Sequence, residues 1–176
     1  MTYFVTGATG FIGRYLVQSL LQRGKGTIYV LVRPKSVGKL DELREFWGKD
    51  SLKRVVPIKG DLGSPKLGVS PADVRKLKGK VKHFFHLGAV YDIEASAETM
   101  KKANIVGTQG ALDLAATVNA GCFHLVSSIA AAGLYRGTFT EDMFEEAEEL
   151  DHPYYRTKHD SEGLVRANGR IPFRVY

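Results

Sequence analysis

Along this chain, short unbroken apolar runs alternate with stretches where apolar residues recur every third or fourth position. Residues 3–6 form a run that leads straight into glycines, which reads as a buried strand. Beyond them Ile12, Leu16 and Leu20, with neighbouring Val17 and Leu21, keep helical spacing as far as Gly24. A β-branched run at 27–32 stops at Arg33-Pro34, and a third strand at 55–58 ends near Gly60-Asp61. Residues 81–87 and 123–127 supply a fourth and a fifth. Between these two, Met100, Ala103, Gly107, Ala111, Leu114 and Val118 mark one face of a long helix. There Gly107 permits close backbone approach at some cost in helix propensity. Another helix runs onward from Tyr154, with Pro153 suited to its first turn, and a sixth strand begins at Phe173.

This alternation predicts an α/β fold: a doubly wound parallel sheet with right-handed crossovers and helices on both faces. Ligands of such sheets bind at the carboxyl ends of the strands, near the point where strand order reverses. With 176 residues and 44% apolar content, the chain can bury the core of one domain. There is no linker composition, low-complexity tract or internal repeat. The lone cysteine, Cys122, excludes an intramolecular disulfide and fits a reducing cytosol, so a cytoplasmic location is expected. No charged-then-apolar leader precedes the first strand, and no apolar run reaches membrane-spanning length.

The net charge of +6 is uneven, because residues 141–151 carry only acids among their charged groups. That stretch is expected as a solvated loop or short helix at the rim. Basic residues between Lys53 and Lys82 are scattered over strand, loop and helix positions with few aromatics among them. They read as a solvated face, not a nucleic-acid surface, with a general attraction for phosphorylated small molecules as the milder functional reading.

The candidate chemistry sits at the strand ends. Gly7, Gly10 and Gly13 follow the first strand and open a helix. Glycines there allow the tight turn and let a pyrophosphate approach the backbone, while the helix N-terminus offers free N–H groups. An NAD site usually carries an acid at the end of the second strand, about twenty residues on. Here that place is held by Arg33, whose fork of donors suits a 2′-phosphate, with Arg14 able to assist. NADPH is therefore favoured over NAD. Asp61 is open to two readings, adenine contact or turn cap. Gly88 and Ala89 are small where a cofactor would pass over the sheet.

Tyr154 and Lys158 share a helical face four residues apart, twenty-six residues after Ser128. An ammonium beside a phenol favours the phenolate, which brings an otherwise poor acid–base group toward the working range. A serine hydroxyl can hold and polarise a carbonyl oxygen. On the residues alone, Ser127 and Ser128 compete for that role, and strand alternation sends them opposite ways. Asn104 either positions ribose or water, or joins two helices. His83, His86 and His124 lack metal-ligand spacing and read as hydrogen-bonded strand residues.

Thr6-Gly7-Ala8-Thr9-Gly10-Phe11-Ile12-Gly13, Gly60-Asp61-Leu62, His86-Leu87-Gly88-Ala89, Asn104-x-x-Gly107-Thr108, Ser127-Ser128 and Tyr154-x-x-x-Lys158 occur in this order. In them the chain resembles the extended short-chain dehydrogenase/reductase family. The resemblance implies a catalytic set of Ser128, Tyr154 and Lys158. It implies cofactor contacts from Gly7, Thr9, Gly10, Phe11, Ile12, Gly13, Arg33, Asp61, Leu62, Ala89, Asn104, Tyr154 and Lys158. More narrowly, Leu31-Val32-Arg33-Pro34, Ala89-Val90-Tyr91-Asp92 and Asp151-His152-Pro153-Tyr154 are similar to the reductase part of bacterial fatty acyl-CoA and fatty aldehyde reductases. That implies NADPH with an acyl-CoA or aldehyde substrate. Gly88 stands where the family more often has alanine.

The chain stops at Tyr176, where the family continues into a substrate-binding region. Residues 1–176 are thus expected to be the NAD(P)-binding, N-terminal part of a longer enzyme, with oligomerisation open. Two other functions share the scaffold. A sugar-nucleotide epimerase or dehydratase is disfavoured by Arg33 and by the absence of acids in residues 129–133. A non-catalytic NADP-sensing module would have no use for Ser128, Tyr154 and Lys158.

Overall fold

All four residues of the first apolar run, Tyr3–Thr6, are buried and form β1. The computed structural model describes residues 1–92 and 94–176. In it β1 lies inside a six-stranded parallel sheet with β2 (Ile28–Val32), β3 (Val55–Lys59), β4 (His83–His86), β5 (Cys122–Leu125) and β6 (Phe173–Val175). The order is β3-β2-β1-β4-β5-β6, so the chain winds one way from β1 to β3 and the other way from β4 to β6. The reversal falls between β1 and β4, which pair in parallel with Thr6 level with His86. Both strands therefore end at the same height, and the crevice above them is where such sheets bind ligands.

Side chains leave β1 alternately for the two faces. Phe4 stacks on Phe84, and Phe84 on Phe123, with ring centroids 4.6 and 5.4 Å apart. That face is covered by α4 (Pro71–Leu77), α6 (Gly107–Thr117) and α7 (Pro153–Arg166), through Leu77, Leu112, Leu114 and Val165. Tyr3 and Val5 face the other way, against Val17 and Leu20 of α1 (Phe11–Arg23) and Leu40 and Trp47 of α2 (Gly38–Trp47). Removing a fully buried ring such as Phe84 from this packing would cost about 3–5 kcal/mol.

Several boundaries differ from the sequence reading. Ile12 is not part of the buried row of α1, which consists of Gly13, Val17, Leu20 and Leu21; Ile12 is 59% exposed. The helices α2, α3 (Ser51–Arg54) and α4 lie in segments where only strands and basic residues stood out. The long helix is continuous but irregular: α5 (Ala97–Met100) passes through a π-helical stretch, Lys101–Val106, before α6. Residues 141–151 hold turns and no helix, tied down by a bridge between Gly133 and Glu148 and by buried Leu150. Among the described residues, no helix is long and apolar enough to cross a membrane.

Candidate active site

Gly7 has φ +72°, the left-handed region that lets the chain double back after β1. A Cβ there would lie 2.8 Å from the Gly88 nitrogen, so the turn is pressed against the end of β4. A Cβ on Gly13 would collide with the Gly7 carbonyl oxygen, which seats α1 directly on the turn. Gly10 is less confined: a Cβ there would meet only the Gly7 carbonyl oxygen, at a tight 3.3 Å, and the residue lines the cleft. A turn of glycines at the N-terminus of α1 is the arrangement that lets a pyrophosphate approach the backbone.

That cleft, of about 830 Å³, gathers residues from the ends of β1 to β4. It is lined by Gly7, Thr9, Gly10, Phe11, Ile12, Gly13, Arg33, Asp61, Leu62 and Ala89, all anticipated from the sequence. Arg33, exposed at the end of β2, stands where an NAD-type acid would be. Asp61 caps its turn, its Oδ1 accepting the Gly63 N–H at 2.9 Å, and it also lines the cleft. Arg14 lies outside the cleft wall. Its guanidinium sits 5.1, 5.0 and 5.8 Å from the ring centres of Phe11, Tyr15 and Phe46, which are its cation–π partners.

Beneath the cleft, the end of β4 is fixed by polar side chains. Thr6 Oγ1 accepts the Leu87 and Gly88 N–H groups at 3.2 and 3.0 Å. With both lone pairs used, its own proton goes to His86 Nδ1, 2.8 Å away. Nε2 of His86 therefore carries the ring proton and donates to Thr108 Oγ1 at 3.2 Å. Burial, and then the Lys158 charge, push His86 down to about 3, so the ring is neutral. Asn104 lies in the π-helical stretch, the kind of irregularity that re-aims a side chain. Its Oδ1 accepts the Val90 N–H at 2.7 Å, and its Nδ2 donates to Val90 O and to Thr157 Oγ1 on α7. Asn104 thus clamps the loop after β4 to α7 rather than entering the cleft itself.

Helix α7 begins at Pro153, with the His152 ring accepting the Tyr154 N–H at 3.1 Å. One turn on, Lys158 is buried and donates to the Val126 carbonyl at 3.3 Å. Val126 itself lines the cleft. Ser128, two residues further, caps a 3-10 turn, Ile129–Ala132, by accepting the Ala130 N–H at 3.2 Å, and among the described residues its hydroxyl proton has no acceptor. Ser127 points to α7 instead and donates to Glu162 Oε2. The two serines do diverge. Lys158 also shares a small void with Gly88, Ala89 and Asn104, so its ammonium lies directly behind the cleft wall. Burial lowers its ammonium below the ordinary lysine range, and Glu162 opposes that shift. Neither Ser128 nor Tyr154 lines the cleft or the small void behind it. No group of three His, Cys, Asp or Glu among the described residues is arranged to hold a metal.

A family model described as male sterility protein, an NAD-binding domain, matches residues 5–176. The chain belongs to this family. It is an NAD(P)-binding domain of the extended short-chain dehydrogenase/reductase type. One of the linear gramicidin synthase subunits of Brevibacillus parabrevis is 33% identical over 98% of this chain and 4% of its own length. A Drosophila melanogaster protein provisionally named a fatty acyl-CoA reductase is 35% identical over 63% of this chain and 24% of its own length. The crystal structure of the terminal R domain from the myxalamid PKS-NRPS pathway superposes with a TM-score of 0.88 and 30% identity, covering 99% of this chain and 48% of that one. The chain therefore spans less than half the length of each protein.

Family membership accounts for the glycine cradle but does not point to every lining residue. Lys102 is one that the sequence reading missed. Its alkyl stem lies along Gly63, where a Cβ would meet Lys102 Cε at 2.6 Å, and it lines the cleft with Thr99 and Ala103. Those three positions share a helical face, i, i+3 and i+4. Nothing in the sequence says that this face overhangs the nucleotide cleft. Ser36, in the short 3-10 turn Pro34–Ser36 after Arg33, also lines the cleft and was not anticipated.

Proposed function

We propose that this chain is the cofactor-binding, catalytic part of a longer NADPH-dependent reductase acting on an acyl thioester or aldehyde carbonyl. The observation that carries the reading is the buried Lys158, bonded to the carbonyl of a cleft-lining strand end, with Tyr154 one turn before it and Ser128 two residues beyond that carbonyl. A nicotinamide cofactor held by the glycine turn and Arg33 would supply the hydride that reduces the carbonyl carbon. Tyr154 protonates the carbonyl oxygen. The free Ser128 proton is donated to the same oxygen and polarises it. Lys158, one helical turn from Tyr154, would hold the ribose hydroxyls of a bound nicotinamide cofactor and, as a cation, would favour the phenolate. Asn104 acts at one remove, by fixing Val90 in the cleft wall.

Arg33, unopposed by an acid at the end of β2, supports NADPH as the preferred cofactor. The name of the Drosophila relative, provisionally a fatty acyl-CoA reductase, supports an acyl or aldehyde substrate. In the full-length enzyme, Tyr154→Phe should cut turnover by about 10²–10⁴-fold and leave NADPH affinity unchanged. Turnover within a few-fold of the parent would remove Tyr154 from this role. Following NADPH absorbance with acyl-CoA, aldehyde and UDP-sugar substrates separates reduction from sugar-nucleotide chemistry.

A further inference from the structure

Helix α7 carries a buried acid that the chemistry above does not use. Glu162 lies one turn beyond Lys158 and is 7% exposed. Its Oε2 accepts the Ser127 hydroxyl at 2.5 Å, and its Oε1 accepts Arg166 Nε at 2.8 Å. A carboxylate so placed is costly to bury unless both oxygens are paired, and here both are. The contacts continue into a closed ring around the end of β5. The Arg166 guanidinium lies 5.1 Å over Phe144, and Phe144 stacks on His159 at 4.2 Å. His159 Nδ1 is 3.0 Å from Ala131 O, inside the turn that Ser128 caps.

Ser127 and Ser128 follow β5 as neighbours with different partners: Ser127 bonds to Glu162 on α7, while Ser128, in extended backbone, accepts the Ala130 N–H. Holding Ser127 on α7 therefore sets where Ser128 points. We propose that Glu162 is a positioning residue for the reduction: its carboxylate anchors the Ser127–Ser128 segment to α7 and faces the Lys158 ammonium from one turn away. The inference rests on the Ser128, Tyr154 and Lys158 reading above. Burial disfavours the charged form of Lys158, and Glu162 is the group that offsets it. The other groups facing Lys158 cannot do so. His86 from β4 is neutral, Asn104 and Thr108 from the long helix and Ser161 from α7 carry no charge, and Tyr154 is the phenol to be activated. Arg166 tempers Glu162 by pairing with it.

These two cations thus compete for one carboxylate, and opposite signs follow. In a ¹³C-lysine NMR titration of the 176-residue chain, Glu162→Gln should lower the Lys158 midpoint by about one pH unit, since the amide no longer favours the charged form. Arg166→Met should raise it by a smaller amount, because the carboxylate is released toward Lys158. Ser127→Ala should leave it in place. A midpoint unmoved in Glu162→Gln overturns the proposal. If that variant does not fold, a null or downward shift in Arg166→Met overturns it instead. In the full-length reductase, Glu162→Gln should also move the alkaline limb of kcat/KM to lower pH by the same amount, with NADPH affinity unchanged. An unshifted limb beside a shifted NMR midpoint overturns the catalytic half. Should Tyr154→Phe remain active, the reductase reading fails while the titration still decides whether Glu162 controls Lys158.

Discussion

The two sides of the cleft are built by different means. The side formed by the ends of β1 to β3 is made of backbone and shape: three glycines, a tight turn and a helix seated on it. The side formed by β4, β5 and α7 is made of side chains bonded to one another through Thr6–His86–Thr108, Val90–Asn104–Thr157 and Ser127–Glu162–Arg166. A steric cradle fails abruptly when an atom is added, because backbone cannot move aside. A bonded network fails by degrees, through charge and geometry.

The sharpest way to break this comparison is inside the glycine triplet itself. Gly13→Ala drives a methyl into the Gly7 carbonyl, so α1 must lift off the turn. A loss of about 3 kcal/mol or more in urea unfolding is expected, along with loss of nucleotide binding. Gly10→Ala meets nothing closer than 3.3 Å and should change stability by less than about 1 kcal/mol, yet it intrudes on the space left for the pyrophosphate. Its nucleotide affinity should fall by roughly tenfold or more. Equal stability losses in the two variants would show that the triplet has no division of labour.

The same difference explains what could be read from the sequence. The cradle is local: its glycines fall at fixed intervals after an unbroken apolar strand, and the fold class follows from the alternation around them. The networks are not local. Ser127 meets Glu162 from 35 positions away, and Thr6 meets His86 from 80, so the motif residues were visible without their partners. Asn104 stood out as a motif residue, but the π-helical stretch that turns its amide onto Val90 left no trace in the periodicity. Helix α2 hid because its buried residues, Leu40 and Trp47, are set among Lys39, Asp41, Glu42, Arg44 and Glu45. A signal for α4 did exist. Ser70 precedes Pro71 and accepts the Asp73 N–H, a capping pattern that the scattered lysines around it obscured.

The network side should show its dependence on charge as a pH effect of intermediate size. His86 is held neutral down to about 3 by burial, and then by Lys158, whereas an unfolded histidine titrates near 6.5. The unfolded chain therefore binds the extra proton first, so stability falls as pH drops from about 6.5 toward 3. Between about pH 7 and pH 5 this one group should cost roughly 2 kcal/mol. Urea midpoints across that range test it against His86→Asn, which should lose that share of the slope. Because His83 and His124 are also lowered, chiefly by burial, only the difference between parent and variant is assigned to His86. An unchanged slope would mean that the Thr6–His86–Thr108 chain takes up a proton without opening.

The smallest effect separates the two arginines of the cradle side. In the sequence both Arg14 and Arg33 stand near the expected 2′-phosphate, but the fold parts them. Arg33 is exposed in the cleft with nothing acidic beside it at the strand end, whereas Arg14 is drawn into Phe11, Tyr15 and Phe46, the last supplied by α2. Its backbone carbonyl accepts the Trp47 indole N–H at 2.8 Å, which holds this part of α1 to the same helix. On the proposed reading, Arg33→Ala should narrow the preference for NADPH over NADH by about tenfold, or about 1.4 kcal/mol. Arg14→Met should leave that preference within about twofold and instead cost about 1 kcal/mol of stability, the scale of cation–π contacts at a half-exposed site. Cofactor affinities by fluorescence titration and urea midpoints on the same samples check both. A preference lost in Arg14→Met and kept in Arg33→Ala would place the phosphate on α1 and remove Arg33 from its role.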